Sequence, residues 1–320
     1  MSEYAVEIKG LNKTFSVKEG TFIKKSTLKA LVDVDLKIKI GEVLGLVGES
    51  GCGKSTLAKC MLRLIEPDSG EIFCAGEEIL ALDDESLRKK RRDMQIIFQD
   101  PASSLNPYMK VVDLVGEGYK IHGICKNKKE IRERVKELII KCGLNEEMLD
   151  KRPHEFSGGQ RQRISIARAL CLNPKLIICD EPVSALDVSI QAQIINLLID
   201  LQKEFDLTYL FISHDLKLVE HIADNIVVMY LGRIVEKKRA DDIRSAPQHP
   251  YTKVLLSSIL EVDSDASDEI VLEGDIPSPI HPPAGCVFHT RCYMKKEKCE
   301  HEIPKLREIG NEHYAACHFL

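Results

Sequence analysis

Residues 48–56 read GESGCGKST and fit the pattern G-x4-G-K-[S/T] throughout. The chemistry of such a stretch is phosphate binding. Gly48, Gly51 and Gly53 let the backbone curl so that N–H groups converge on an anion, and a helix start behind them adds positive dipole. Lys54 would reach the outer phosphates and Ser55 would offer its hydroxyl to Mg2+. Ser50, Cys52 and Thr56 complete the candidate phosphate-binding set. A glycine-rich turn without function is the plain alternative, disfavoured by the apolar run VLGLVG before it and the helical pattern after it. The Cys52 thiol sits inside the loop, where a tolerated small residue is the simpler reading than a redox role.

Two further stretches carry chemistry. LIICDE (176–181) ends in two acids: Asp180 at a strand tip suits a Mg2+ carboxylate, and Glu181 suits a group that polarises an attacking water. FSGGQRQRISIARAL (156–170) places Ser157 as a helix N-cap, with Gly158, Gly159 and Gln160 offering backbone N–H groups, a second anion site separate from the first. The C-terminal cysteines, Cys286, Cys292, Cys299 and Cys317, are spaced C-x5-C-x6-C-x17-C and read as a metal site. Zinc prefers C-x2–4-C knuckles, which are absent. A [4Fe–4S] cluster takes four thiolates at wider spacing. His289, His313 and His318 keep zinc open, and unliganded thiols are the third reading.

These residues need elements to hold them. Residues 5–9, 34–40, 43–48, 94–98, 176–180, 207–213 and 225–232 read as strands. Leu57, Met61, Leu62 and Ile65 recur at helical spacing, as do Ile131, Val135, Leu138, Ile139 and Cys142 within a helical insert over about 110–150. Strands alternating with helices predict an α/β fold with a largely parallel sheet. The acidic run EVDSDASDE and the Pro-rich GDIPSPIHPPAG mark a change of character after about residue 260. The 320 residues, 44% hydrophobic, suffice for about two domains, and a net charge of −5 gives no global field for nucleic acid. The run RKKRR (88–92) reads as a solvated helix face. With no signal-peptide core and no run of about 18 apolar residues, the chain reads as cytosolic, and its eleven cysteines as reduced thiols or metal ligands.

In this order, GESGCGKST, FQDP, FSGGQRQR, LIICDE, SALD and ISHD resemble the ATP-binding cassette ATPases over about residues 5–240. The resemblance implies two such domains packed head to tail, with ATP between one phosphate loop and the other's Ser157 to Gln160. It implies that Gln99 senses Mg2+ and the attacking water and couples the site to a membrane partner. Asp187 would communicate between monomers, and His214 would contact the γ-phosphate beside Glu181. Phe15 fits the aromatic that stacks on adenine, although segment 16–29 looks inserted, Phe22 competes, and a core phenylalanine is the bland alternative. Phe156 replaces the more usual leucine of the signature.

The flanks GLVGESGCGKSTL, FQDPASSLNP, HPYTKVLLSSI and GDIPSPIHPPAGCVFHTRC are similar to the ATPase subunits of bacterial dipeptide and oligopeptide importers, most like the F-type member. That likeness implies a P-loop NTPase core with a mixed sheet over residues 1–260 (helical subdomain about 100–165), a linker at 261–274, and a cluster-binding extension at 275–320. It implies ATP, Mg2+ and a [4Fe–4S] cluster, with zinc as the alternative. Its partners would be a second ATPase subunit in a heterodimer, two membrane-spanning permease subunits and an extracytoplasmic peptide-binding protein, at the cytoplasmic face of the membrane. A soluble cassette ATPase on DNA or ribosomes is disfavoured by the single cassette, and an iron–sulfur electron carrier by the complete hydrolytic set. A relative importing nickel or sugars stays open.

Overall fold

The strand that leads into the phosphate loop, Val43–Val47, is buried at all five positions, as its unbroken apolar run requires of a strand covered on both faces. The computed structural model describes residues 3–19, 24–257, 274–310 and 312–320. The expected linker at 261–274, apart from Gly274, and Phe22 lie outside the described residues. The chain divides into two compact units interleaved in sequence: Met1–Ala5, Ile38–Glu42 and Ala81–Ile212 form one, and Val6–Lys37, Val43–Leu80 and Ser213–Leu320 the other.

In the second unit, Val43–Val47 runs parallel to Asn225–Tyr230, from Leu44 opposite Asn225 to Val47 opposite Val228. Asn225–Tyr230 turns back through Leu231 and Gly232, both at positive φ (42° and 77°), into the antiparallel Arg233–Arg239. Two consecutive positive φ values are what a two-residue hairpin with the native twist demands. The C-terminal region then extends this ladder. His313–Ala315 pairs antiparallel with Arg233–Arg239, and Arg307–Gly310 pairs with His313–Ala315. The sequence reading of a small appended module missed this pairing, because a three-residue strand carries no periodicity.

A separate antiparallel sheet holds the long ribbon Tyr4–Glu19 and Lys24–Lys39, followed by Ser69–Cys74 and Glu77–Glu78. Residues 16–19 and 24–29 of the apparent insertion therefore belong to the two ribbon strands. The helix after the phosphate loop, Lys54–Met61, is shorter than its sequence pattern suggested. Arg63 takes a left-handed φ of 49°, and the N–H groups of Arg63 and Leu64 return to the carbonyls of Cys60 and Lys59. That closes the helix in a Schellman turn, so Leu62 caps it and Ile65 lies beyond.

In the first unit, Met94–Ile97, Leu176–Asp180 and Thr208–Ser213 form a parallel ladder, covered by the buried Ile194, Ile195, Leu198 and Leu201 face of Val188–Phe205. The same unit carries the helices Val111–Ile121, Lys128–Lys141 and Gly158–Leu170. They approach closely because Gly116 and Gly118 carry no side chain: a Cβ there would lie 2.5 Å from Ile131 Cγ2 and 2.7 Å from Cys171 Sγ. Lys89, in the basic run, is solvated and pairs with Glu85 at 2.7 Å. Among the described residues no helix is long and apolar enough to cross a membrane.

One glycine sets the packing of a helix on the strand Val43–Val47. A Cβ on Gly45 would sit 2.1 Å from Val219 Cγ1 and 3.2 Å from Ala223 Cβ, so the helix Leu216–Ile222 rests directly on the strand. Gly45→Ala should destabilise the protein by about 1–3 kcal/mol through overpacking, read as a lower midpoint in urea denaturation, with Gly45→Val worse.

Candidate active site

The phosphate loop is shaped around a buried lysine. Lys54, 4% exposed, sends its ammonium to the carbonyls of Gly48 (2.7 Å) and Glu49 (3.0 Å), with Cys52 Sγ at 3.8 Å. Burial raises the Cys52 thiol pKa against the pull of the adjacent Lys54 charge, so the side chain is a neutral thiol at ordinary pH. Gly48 has φ 156°, and a Cβ there would lie 2.2 Å from the Met229 carbonyl oxygen. Gly53 caps the helix at φ 111°, where a Cβ would meet the Ala30 carbonyl oxygen at 2.4 Å. The backbone thus passes where no side chain fits, which is the close approach that phosphate cradling needs. Gly51, by contrast, has open space around it. Phe15 lies half-buried on the ribbon with the Lys13 ammonium 5.4 Å from its ring centroid. His214 follows the strand Thr208–Ser213 directly and is exposed.

In the first unit, Asp180 is buried at the end of its strand, and the chain turns sharply at the next residue. Glu181 adopts φ 48°, a left-handed conformation that costs a non-glycine residue on the order of 1–2 kcal/mol. It is held there by its N–H on the Ile212 carbonyl (3.0 Å) and by Ser184 Oγ on its own carbonyl (3.2 Å). The turn carries the Glu181 carboxylate to Gln99, whose Nε2 donates to Oε2 at 3.0 Å. Gln99 precedes Asp100, which caps the short helix Pro101–Ser104 by accepting from the N–H groups of Ala102 and Ser103. Glu181 and Gln99, each related separately to the attacking water in the sequence, meet directly.

Ser157 caps Gly158–Leu170 in a reciprocal box: its N–H donates to Gln160 Oε1 at 3.0 Å, and its Oγ accepts from the Gln160 N–H. A Cβ on Gly159 would lie 2.6 Å from Ile190 Cγ2, and one on Gly158 3.2 Å from Leu186 Cδ2. The glycines seat this helix start against the SALD loop, where Asp187 begins the helix Val188–Phe205. Val188 beside it is 81% exposed.

The four C-terminal cysteines are thiols, with Cys299 buried and the others half-buried. They are electrostatic neighbours: burial first, then Cys299, Cys292 and Cys317, push the Cys286 thiol up to about 11. The donor set fits a four-thiolate site in kind. Among the described residues, however, no group of three or more His, Cys, Asp or Glu stands where it could hold a metal ion, so the expected metal-binding extension is present as a fold without a formed ligand cage. The three histidines considered for zinc each engage another partner: His289 meets the Cys286 carbonyl, His313 the buried Glu236 carboxylate at 2.7 Å, and His318 the Glu302 carbonyl.

Sequence reasoning passed over the residues that touch the loop from the C-terminal side. The Tyr251 hydroxyl accepts the Glu49 N–H at 2.9 Å from 202 positions away. It lies in HPYTKVLLSSI, whose His249 Nδ1 accepts the Tyr251 N–H at 3.1 Å. No spacing rule reaches across such a separation.

Two family models match the chain: "ABC transporter" over residues 31–184, and "Oligopeptide/dipeptide transporter, C-terminal region" over residues 235–299. The chain is 49% identical to the oligopeptide transport ATP-binding protein AppF of Bacillus subtilis, over 99% of this chain and 97% of that one. It is 48% identical to the dipeptide transport ATP-binding protein DppF of Haemophilus influenzae, over 96% of this chain and 94% of that one. Among solved structures it is similar to the dimeric ATP-binding cassette MJ0796 in a post-hydrolysis state bound to ADP and Pi. That likeness has a TM-score of 0.66 at 31% identity and covers 73% of this chain and 98% of the other.

The His249 hydrogen bond needs a neutral imidazole, and complete burial holds its pKa down to about 3. The unfolded chain takes up a proton at about pH 6.5 that the folded chain refuses until about pH 3, so stability falls as pH drops through that window. Below pH 6 the wild type should lose about 1.4 kcal/mol per pH unit more than His249→Asn, whose amide oxygen can accept the same N–H. Denaturant midpoints at pH 5, 6 and 7 check this.

Proposed function

We propose, from the premise that this chain belongs to the ATP-binding proteins of oligopeptide and dipeptide transporters, that it hydrolyses ATP to power peptide import through a membrane transporter. The reading is carried by likeness along nearly the whole chain, the C-terminal region included, to relatives named for oligopeptide and dipeptide transport. Gly48 to Thr56 hold the nucleotide phosphates: the curled backbone supplies the N–H groups, and Lys54 exchanges its two carbonyl partners for phosphate oxygens. Ser55, Asp180 and Gln99 are the residues that would hold Mg2+, which supplies charge neutralisation at the phosphates. Glu181, aimed by Gln99, polarises the attacking water, and His214 acts with it at the γ-phosphate. Phe15 stacks on adenine.

The partner arrangement follows the same reading. The exposed signature turn at Ser157–Gln160, with Asp187 and Val188 beside it, faces the phosphate loop of a second ATPase subunit packed head to tail. Two permease subunits dock on the segment after Gln99, where Tyr108 is 85% exposed, and an extracytoplasmic peptide-binding protein delivers cargo. The chain works at the cytoplasmic face of the membrane as a peripheral subunit. Residues 1–260 form the ATPase, with 275–320 as an extension joined through 261–274. In that extension Cys286, Cys292, Cys299 and Cys317 would hold a [4Fe–4S] cluster, with zinc as the alternative. Support for it is the spacing of four cysteines in the sequence, C-x5-C-x6-C-x17-C, and metal binding there would supply folding energy.

Two measurements test this. Glu181→Gln should lower steady-state ATPase activity at least about 100-fold while leaving nucleotide binding intact; unchanged turnover would remove the assigned role. Anaerobic purification should give four iron and four acid-labile sulfide per chain with a brown colour. One zinc and no colour would select the alternative, and neither metal would leave plain thiols.

A further inference from the structure

Glu49, the second residue of GESGCGKST, is gripped at every polar group it has. Its N–H goes to Tyr251 Oη at 2.9 Å and its carbonyl accepts Lys54 Nζ at 3.0 Å. Its carboxylate receives Arg291 in a bidentate fork: Nη1 at 2.9 Å from Oε2 and Nη2 at 3.1 Å from Oε1. The Arg291 side chain is only 7% exposed, and its Nη1 also lies 3.4 Å from Tyr230 Oη. A planar guanidinium fork fixes a carboxylate in orientation as well as distance, which a lysine point charge does not. No catalytic duty falls on the Glu49 side chain, so this pair acts on the loop's shape.

The origin of Arg291 makes the contact informative. It ends the short turn His289–Arg291, between Cys286 and Cys292. That turn is anchored by Phe288, 1% exposed, whose ring stands 5.2 Å from Tyr230 and 5.4 Å from Tyr251. Its other anchor is the cysteine segment itself. The Cys286 N–H donates to the Cys299 carbonyl at 2.8 Å, and a Cβ on Gly285 would lie 2.4 Å from that same oxygen. The turn that presents Arg291 to Glu49 is therefore held both by Phe288 and by the backbone approach of Cys286 to Cys299.

We propose that Arg291 is a positioning residue for the phosphate loop, and that through it nucleotide affinity responds to the folding of the cysteine segment. The proposal rests on the reading that residues 48–56 hold the nucleotide phosphates. Loss of the fork frees Glu49, loosens the carbonyl that receives Lys54, and weakens binding without removing any group that touches the reacting atoms.

The test uses the full-length chain and MgATP, with affinity measured by calorimetry and KM and kcat by steady-state turnover. Lys54→Ala is the control for the phosphate reading and should abolish binding. Arg291→Ala should weaken affinity about tenfold, raising KM more than it lowers kcat, and Arg291→Lys should recover part of the loss. Gly285→Ala, whose Cβ would clash with the Cys299 carbonyl oxygen, should weaken affinity in the wild-type background yet add less than about twofold to Arg291→Ala, because both break the same link. Should Arg291→Ala not fold, Arg291→Gln, which keeps the stem but loses the charged fork, takes its place, with a KM increase expected and an unchanged KM overturning the proposal. Arg291→Ala binding as tightly as wild type, while Lys54→Ala does not bind, overturns the proposal and leaves the phosphate site standing. Additive effects of Gly285→Ala and Arg291→Ala overturn the coupling. Normal binding by Lys54→Ala overturns the phosphate reading and the inference with it.

Discussion

A lysine ammonium taken out of water must be met by oriented dipoles, and in this chain the backbone itself meets it. Lys54 is satisfied by two carbonyls of the loop that precedes it, so the loop has to curl back over its own helix. That curl presses Gly48 onto the carbonyl of Met229 and Gly53 onto the carbonyl of Ala30. It therefore fixes where the strand Asn225–Tyr230 and the ribbon Lys24–Lys39 can run. Much of the second unit is arranged so that one charge can stay buried, close to where phosphate oxygens would replace its carbonyl partners.

The first unit answers to a different constraint. Strand Leu176–Asp180 is buried throughout, and a straight continuation would carry Glu181 onward with it. The left-handed turn breaks that course and brings its carboxylate to Gln99. Strain of this kind persists where surrounding bonds over-determine it, and the Ile212 carbonyl and Ser184 hydroxyl supply those bonds.

The parts of this arrangement legible in the sequence are the local ones. The run VLGLVG, the motif GESGCGKST and the cap at Ser157 are each set by a few adjacent residues, and each appears in the structure as a strand, a curled loop and a reciprocal cap box. Asp180 at a strand tip was legible for the same reason. The conformation of Glu181 was not, because nothing in the letters DE signals a positive φ. The helix after the loop ends four residues before its apolar pattern does, because Arg63 and Leu64 satisfy the last carbonyls early. The grip on Glu49 was invisible because its partners come from 202 and 242 positions away, and tertiary pairing at that range leaves no periodic trace. The cysteine segment was read as isolated for a similar reason: the strand that ties it to the sheet, His313–Ala315, is three residues long.

That short strand also bears on how the chain is made. Arg233–Arg239 leaves the ribosome with one neighbour, Asn225–Tyr230, and its other edge stays open until His313–Ala315 has been synthesised. An open edge is a template for pairing with another chain, and nascent chains expose such edges while their partners are still being translated. Along that edge Glu236 is fully buried in the finished fold, and its carboxylate takes up the imidazole of His313. Both its oxygens are already held by the N–H groups of Gln248 and His249, at 2.8 and 3.0 Å, so this part of the edge is shaped before His313 arrives to complete the set.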